Sequence, residues 1–213
     1  MRPDPDAIFD PDCRRCPRLA GFLEDVRARH PDYHAAPVPS FGPLDARLLI
    51  VGLAPGLHGA NATGRPFTGD HAGVLLYKTL HMHGFASRRE SESADDGLEL
   101  IDCRITNAVK CVPPQNKPTT EEIRTCNDFL SAEMAAMSPR VVLALGKVAH
   151  DAILRARGLP LSSLRFGHAL EHALDAETLL VDSYHCSRYN TQTRRLTPAM
   201  FDDLFVRIRG HLR

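Results

Sequence analysis

The chain has 213 residues, 43% of them hydrophobic, and carries 26 basic against 26 acidic side chains. That length suffices for one α/β domain with a sizeable core, and the zero balance excludes reading nucleic-acid affinity from overall charge, so any such contact has to come from local basic patches. No apolar run approaches the roughly 18 residues of a membrane span, and the opening MRPDPDAIFDPDC is acidic and proline-rich, unlike a signal peptide; a soluble, cytoplasmic protein with no membrane partner is expected.

Residues 1–12 read as an irregular arm. Cys13-x2-Cys16 then precedes a helical pattern from Pro17 to His30, with Leu19, Phe22, Leu23 and Val26 on one face. Four prolines between positions 31 and 43 make an extended connector. The apolar run Leu48–Val51 predicts the first strand, Arg47–Gly52. The stretch after it, GLAPGLHGANATGRPFTGDHAG, holds six glycines and two prolines before a helix from about Gly73 to His83. Loops this long inside compact domains are usually functional or disordered. Leu57 and Phe67, with His58, Asn61, Arg65, Thr68 and Asp70, argue against disorder, so the stretch is expected to form a site. Arg88–Gly97 has mixed charge and reads as a solvated turn.

The second strand is predicted at about Asp102–Val109, followed by the stiff loop Cys111–Pro118. Thr119 and Glu122 have capping-box spacing and start a helix with Ile123, Cys126, Phe129, Leu130 and Met134 on its apolar face; Ser138-Pro139 ends it. Arg140–Leu145 is nearly continuously apolar, as in a parallel strand buried on both faces, and Lys147–Arg157 is helical. Residues 159–177 are compatible with a hairpin or an irregular cover. The fourth strand, Thr178–Tyr184, runs into the polar loop HCSRYNTQTRR, and Thr197-Pro198 starts the last helix. The expected fold is a single α/β domain: a central four-stranded parallel sheet flanked by helices.

In such a sheet, ligands bind outside the carboxyl ends of the strands. The loops after strands one, two and four should therefore converge, bringing together Asp70, His185, Asn107 and Phe67. The first loop lacks GxxxxGK[ST] and GxGxxG, so neither a P-loop nor a dinucleotide site is supported. HExxH and GxSxG are absent as well. Of the six cysteines, Cys103 reads as core. Cys13, Cys16, Cys111 and Cys126 suit a tetrahedral zinc or a [4Fe–4S] cluster, and a redox pair or simple buried thiols are the blander alternatives.

The combination of GLAPG…NATGRPFTGD, ITNAVKC and HCSRYNTQTRRLT resembles the uracil-DNA glycosylase superfamily, within it the iron–sulfur B-type branch (family 5), related to family 4. The resemblance runs from Cys13 to about Thr197. It implies a uracil-DNA glycosylase-like fold with an N-terminal cysteine-bearing arm, and a [4Fe–4S] cluster on Cys13, Cys16, Cys111 and Cys126. It also implies a monomeric DNA-repair hydrolase working at the nucleoid on DNA containing uracil or other deaminated bases such as hypoxanthine or xanthine. Catalysis is expected from Asp70, His185 and Asn107. Substrate contacts are expected from Gly52, Ala54, Phe67, Asn107, Ser187, Asn190 and Arg188.

The sequence departs from the family pattern at several places. The general-base positions of other branches hold Leu53 and Ala54, so the carboxylate role falls to Asp70, as the B-type branch implies. Cys186 stands where the second motif usually has proline, which implies a looser loop. Ala62 stands where relatives tend to carry arginine. A non-catalytic iron–sulfur DNA-binding protein, or a hydrolase of free nucleosides, are the alternative readings.

Overall fold

A computed structural model describes residues 8–213, so most of the predicted N-terminal arm lies outside the described residues. Five strands form one sheet, in the order β2-β1-β3-β5-β4. The strands β1 (Leu48–Gly52), β2 (Cys103–Asn107), β3 (Val141–Leu145) and β5 (Leu179–Ser183) are mutually parallel. These are the four predicted strands. The fifth, β4 (Glu171–Ala173), pairs antiparallel with β5 at one edge, which resolves the ambiguous segment 159–177 as a short edge strand. β1 and β3 are buried along their whole length, as their unbroken apolar sequence requires.

Alternation along the strands feeds a core on each face. Leu48, Ile50, Ile105, Leu143 and Val181 pack beneath α3 (His71–Met82) and α7 (Pro198–His211), with Phe201 and Phe205. Leu49, Val51, Val142 and Ala144 pack beneath α4 (Thr120–Met137) and α5 (Lys147–Ala156), with Leu130, Met134 and Ile153. The predicted capping box is formed. The Glu122 N–H donates to Thr119 Oγ1 (3.2 Å) and the Thr119 N–H to Glu122 Oε2 (2.7 Å), and Ser138 ends α4 in the left-handed region at φ 47°. No described helix is long and apolar enough to cross a membrane.

A third, smaller cluster joins the N-terminal helix α1 (Pro17–Arg29) to the sheet edge. Leu19 and Leu23 meet Val109, Val112, Phe129, Cys111 and Cys126, with Cys13 and Cys16 packed on the outside. Beside it lies a buried ionic network. Glu133, fully buried, accepts from Arg104 Nε (2.6 Å) and Thr106 Oγ1 (2.8 Å) and pairs with Lys110 Nζ (3.4 Å). Helix α4 is thereby tied to β2 and to the residue before Cys111.

The segment expected to be a solvated turn is largely exposed, at Arg88, Arg89, Glu90 and residues 92–95. It is also anchored: the buried Arg65 side chain bonds Ser91, Ser93 and Asp96 and holds it against the first loop.

Removing one member of a buried charge network leaves the others unpaired, at a cost of about 3–5 kcal/mol. Glu133→Ala strands both Arg104 and Lys110, so urea unfolding is expected to show a loss of that size. A loss below about 1 kcal/mol contradicts this account of the network.

Candidate active site

The registers Gly52↔Asn107 and Leu145↔Ser183 bring strand ends level, and a cavity of about 510 Å³ opens above them. That is within the usual range for a small-molecule pocket, about 300–1,000 Å³. Four strand exits line it. Leu53, Ala54, Gly56, Phe67, Asp70 and His71 come from the first loop, Asn107 and Asn116 from the second, Gly146 and Lys147 from the start of α5, and His185, Ser187 and Arg188 from the last.

The first loop folds back on itself, and its glycines leave the room. A Cβ on Gly59 would stand 1.9 Å from Asp70 Oδ1, and one on Gly56 2.5 Å from the same atom. The carboxylate therefore lies directly against the Gly56–Gly59 turn. Among the described residues its one hydrogen-bond donor is the Ala60 N–H, at 3.3 Å. Burial raises the Asp70 pKa, partly offset by that donor. Likewise a Cβ on Gly52 would be 2.4 Å from Asn107 Oδ1 and 2.7 Å from Phe67 Cζ. Gly52 is thus not a lining residue, as predicted for substrate contact, but the space into which Phe67 and Asn107 close.

Phe67 has a left-handed backbone, φ 58°, and its ring stacks on His185 with centroids 5.9 Å apart and planes at 26°. Two further stacking distances of about 3.5–4.0 Å do not fit in that gap, so the space between the two rings has no room for a planar ligand. Burial lowers the His185 pKa to about 4, leaving a neutral imidazole at pH 7. Its Nδ1 is buried without a protein partner. The His185 backbone is fixed from behind: Asn190 Nδ2 donates to the His185 carbonyl at 2.8 Å, and the Ser187 hydroxyl caps the short helix α6 (Arg188–Gln192) through the Asn190 N–H.

Asp70, His185, Asn107, Phe67, Ala54, Ser187 and Arg188 therefore meet in one cavity. Asn190 stands behind it, and His58 and Asn61 do not line it: His58 is exposed and bonded to Tyr33 Oη (2.9 Å), while Asn61 is buried in the turn. Cys186, which stands where the second motif usually has proline, is fully buried in the core. The sequence reading overlooked Asn116, His71 and Gly146–Lys147. The last of these was findable by applying the strand-exit rule to the third strand, whose Gly146 opens a helix.

The four predicted ligand cysteines, although far apart in sequence, line a second, enclosed cavity with Lys110, Phe129 and Leu19. Burial and then the neighbouring Cys126 push the Cys16 thiol up to about 11, and burial and then Cys126 push Cys111 up to about 12. Without a bound cation these two groups therefore stay protonated, and a cationic centre would be needed to hold them as thiolates. Among the described residues no three His, Cys, Asp or Glu side chains converge on a single ion. The cavity lining offers an all-sulfur donor set, a composition that suits a tetrahedral zinc or an iron–sulfur centre. The Lys110 N–H donates to Cys126 Sγ at 3.3 Å.

A family model described as the uracil DNA glycosylase superfamily matches residues 39–209. A type-5 uracil-DNA glycosylase of Thermus thermophilus is 46% identical over 200 residues, 91% of either chain, and one of Mycobacterium leprae is 45% identical over 91% of this chain and 88% of its own. A type-4 uracil-DNA glycosylase of Thermotoga maritima is 38% identical over 58% of this chain and 57% of its own.

An NMR titration of the His185 ring is expected to have its midpoint near 4. The unfolded chain takes up that proton near the ordinary value of about 6.5. This histidine therefore withdraws stability progressively as pH falls from 6.5 to 4 and is neutral in effect above that window. A midpoint near 6.5 contradicts its burial.

Proposed function

The chain belongs to the uracil-DNA glycosylase superfamily, and on that premise we propose how its cavity carries out the reaction of a monofunctional uracil-DNA glycosylase, hydrolysis of the N-glycosidic bond of deoxyuridine in DNA to leave an abasic site. One observation carries the reading: a half-buried carboxylate, a neutral imidazole, a side-chain amide and an aromatic ring line a single cavity.

The target nucleotide leaves the base stack at a cost of a few kcal/mol, least when it is mispaired or single-stranded. Its base stacks on Phe67, and the Asn107 amide, which both donates and accepts, reads the pyrimidine edge. The C1′–N1 bond breaks with its electron pair passing to the base, where negative charge collects on the ring nitrogen and the neighbouring carbonyl oxygen. Neutral His185 donates a hydrogen bond to that oxygen. A neutral donor stabilises the anion without first having to lose its own charge to burial. The water oxygen bonds to C1′ and its proton passes to Asp70, whose raised proton affinity suits that task. The same carboxylate faces the cationic sugar as the bond lengthens. Among the described residues no other carboxylate lines the cavity, and the first motif offers only Leu53 and Ala54 there. The methyl group of Ala54 leaves width for a deaminated purine such as hypoxanthine.

Arg188 and Tyr189, both exposed beside the mouth, provide a phosphate contact and an aromatic wedge for the emptied stack. Arg195 is engaged instead over the Tyr184 ring, 4.4 Å from its centroid. A single chain supplies every group named, as a monomeric enzyme requires, and its place on this reading is in the cytoplasm at the nucleoid. Cys13, Cys16, Cys111 and Cys126 would hold a [4Fe–4S] cluster, which when bound supplies a structural cross-link. The chain's own part is to bring α1, the Lys110–Val112 segment and α4 together around it.

In single-turnover assays on a uracil-containing oligonucleotide, Asp70→Asn and His185→Ala are each expected to slow base release by on the order of 10²–10³-fold. Strand scission by alkali after incubation reports the abasic product; binding without scission, or turnover of free nucleosides alone, contradicts the reading. Protein purified without oxygen is expected to be brown and to contain iron and sulfide in equal amounts, with a melting temperature that falls when the iron is chelated. Colourless protein with stoichiometric zinc contradicts the cluster.

A further inference from the structure

Arg65 belongs to the signature stretch, yet it never reaches the cavity. Only 4% of it is exposed, and its guanidinium is fully engaged inside the protein. Nε donates to Thr68 Oγ1 at 3.0 Å, and Nη2 donates to Ser91 Oγ at 2.9 Å, to the Ser93 carbonyl and to Asp96 Oδ2 at 2.5 Å. The plane also lies over Phe41, 4.9 Å from the ring centroid. Thr68 Oγ1 closes the circuit to Ser91 Oγ at 2.7 Å.

What this cluster surrounds is the backbone of Pro66–Thr68. Phe67 sits there at φ 58°, a conformation that an aromatic residue keeps only when its neighbours impose it. From the other side, Tyr77 Oη donates to the Pro66 carbonyl at 2.7 Å. The Phe67 carbonyl is pressed so close to Gly73 that a Cβ there would stand 1.7 Å from it. Two residues further on, Asp70 lies against Gly56 and Gly59. The stacking ring and the carboxylate are thus carried on one short arc, with Arg65–Thr68–Asp96 as its fixed end.

We infer that Arg65 is a positioning residue for the glycosylase reaction: its buried fork to Thr68 and Asp96 holds Phe67 in its left-handed conformation and so sets where the base stacks and where Asp70 stands. The inference rests on the proposed roles of Phe67 and Asp70. Burial raises the Asp96 pKa, but the Arg65 bond and the Leu98 and Glu92 N–H groups outweigh it and hold the carboxyl below the usual range, so the clamp stays charged throughout the working pH range. A lysine has no planar fork and cannot bridge Thr68 and Asp96 together.

The test compares Arg65→Lys, Phe67→Ala and the double variant, by single-turnover base release, DNA affinity and thermal melting. A displacement of about 1 Å at a reacting group costs on the order of 10²-fold. Arg65→Lys is therefore expected to slow base release by about 10- to 100-fold, with DNA affinity changed less than about threefold and a cooperative melt retained. In the Phe67→Ala background the part of that loss that runs through the ring is expected to vanish, leaving the smaller part that runs through Asp70. A wild-type rate in Arg65→Lys, or a loss equally large in both backgrounds, overturns the inference. If Arg65→Lys does not fold, Thr68→Val removes the bridge while leaving the ion pair and is judged by the same two criteria. A normal rate in Phe67→Ala instead overturns the stacking role itself, which a slow Phe67→Ala beside a normal Arg65→Lys leaves standing.

Discussion

A carboxylate held against two glycines, with one long backbone hydrogen bond, is the arrangement on which the rest of this site depends. Asp70 reaches its place only because the first loop turns back over itself, and it can turn back only where Gly56 and Gly59 present no side chain. The alternative positions for a base, Leu53 and Ala54, are apolar. The loop has therefore kept its shape while the charge lies at its far end. A half-buried carboxylate with so few donors loses much of its solvation, and that loss is what raises its affinity for a proton.

Holding such an arc needs rigid support at both ends. On one side Arg65 and Tyr77 fix the Pro66–Thr68 backbone. On the other, Glu133 ties β2, which presents Asn107, to α4, which carries Cys126. Lys110 belongs to that network through its side chain and donates to Cys126 Sγ through its backbone. The cysteine cavity and the reaction cavity are thus joined by one strand and one buried network, although they share no lining residue. A cluster held there, as proposed, would cross-link the N-terminal helix to the sheet edge that frames Asn107.

Most of the architecture was legible because its signals were local. The apolar runs at Leu48–Val51 and Val141–Leu145, the Thr119/Glu122 spacing and Thr197-Pro198 each specify an element within a few residues. The convergence of Asp70, Asn107, Phe67 and His185 was also legible, since parallel strands oblige their exits to share one end of the sheet. What was not legible depends on contacts made in three dimensions. Arg88–Gly97 looks solvated by composition, and nothing local says that Arg65 reaches across to Ser91 and Asp96. The edge strand Glu171–Ala173 is too short to have a period. Gly52 and Asn190 sit beside site residues in sequence, yet one provides empty space and the other a brace for the His185 carbonyl.

The central claim is that Asp70, and no residue of the first motif, serves the water that attacks the sugar. A crystal structure with DNA carrying a non-hydrolysable deoxyuridine analogue tests it most directly. The account predicts the base stacked on Phe67 with its edge on Asn107, and an ordered water at about 2.6–3.2 Å from an Asp70 oxygen, facing C1′. A base seated elsewhere, or a bound sugar with Asp70 still sealed against Gly59 and no water between them, would contradict it.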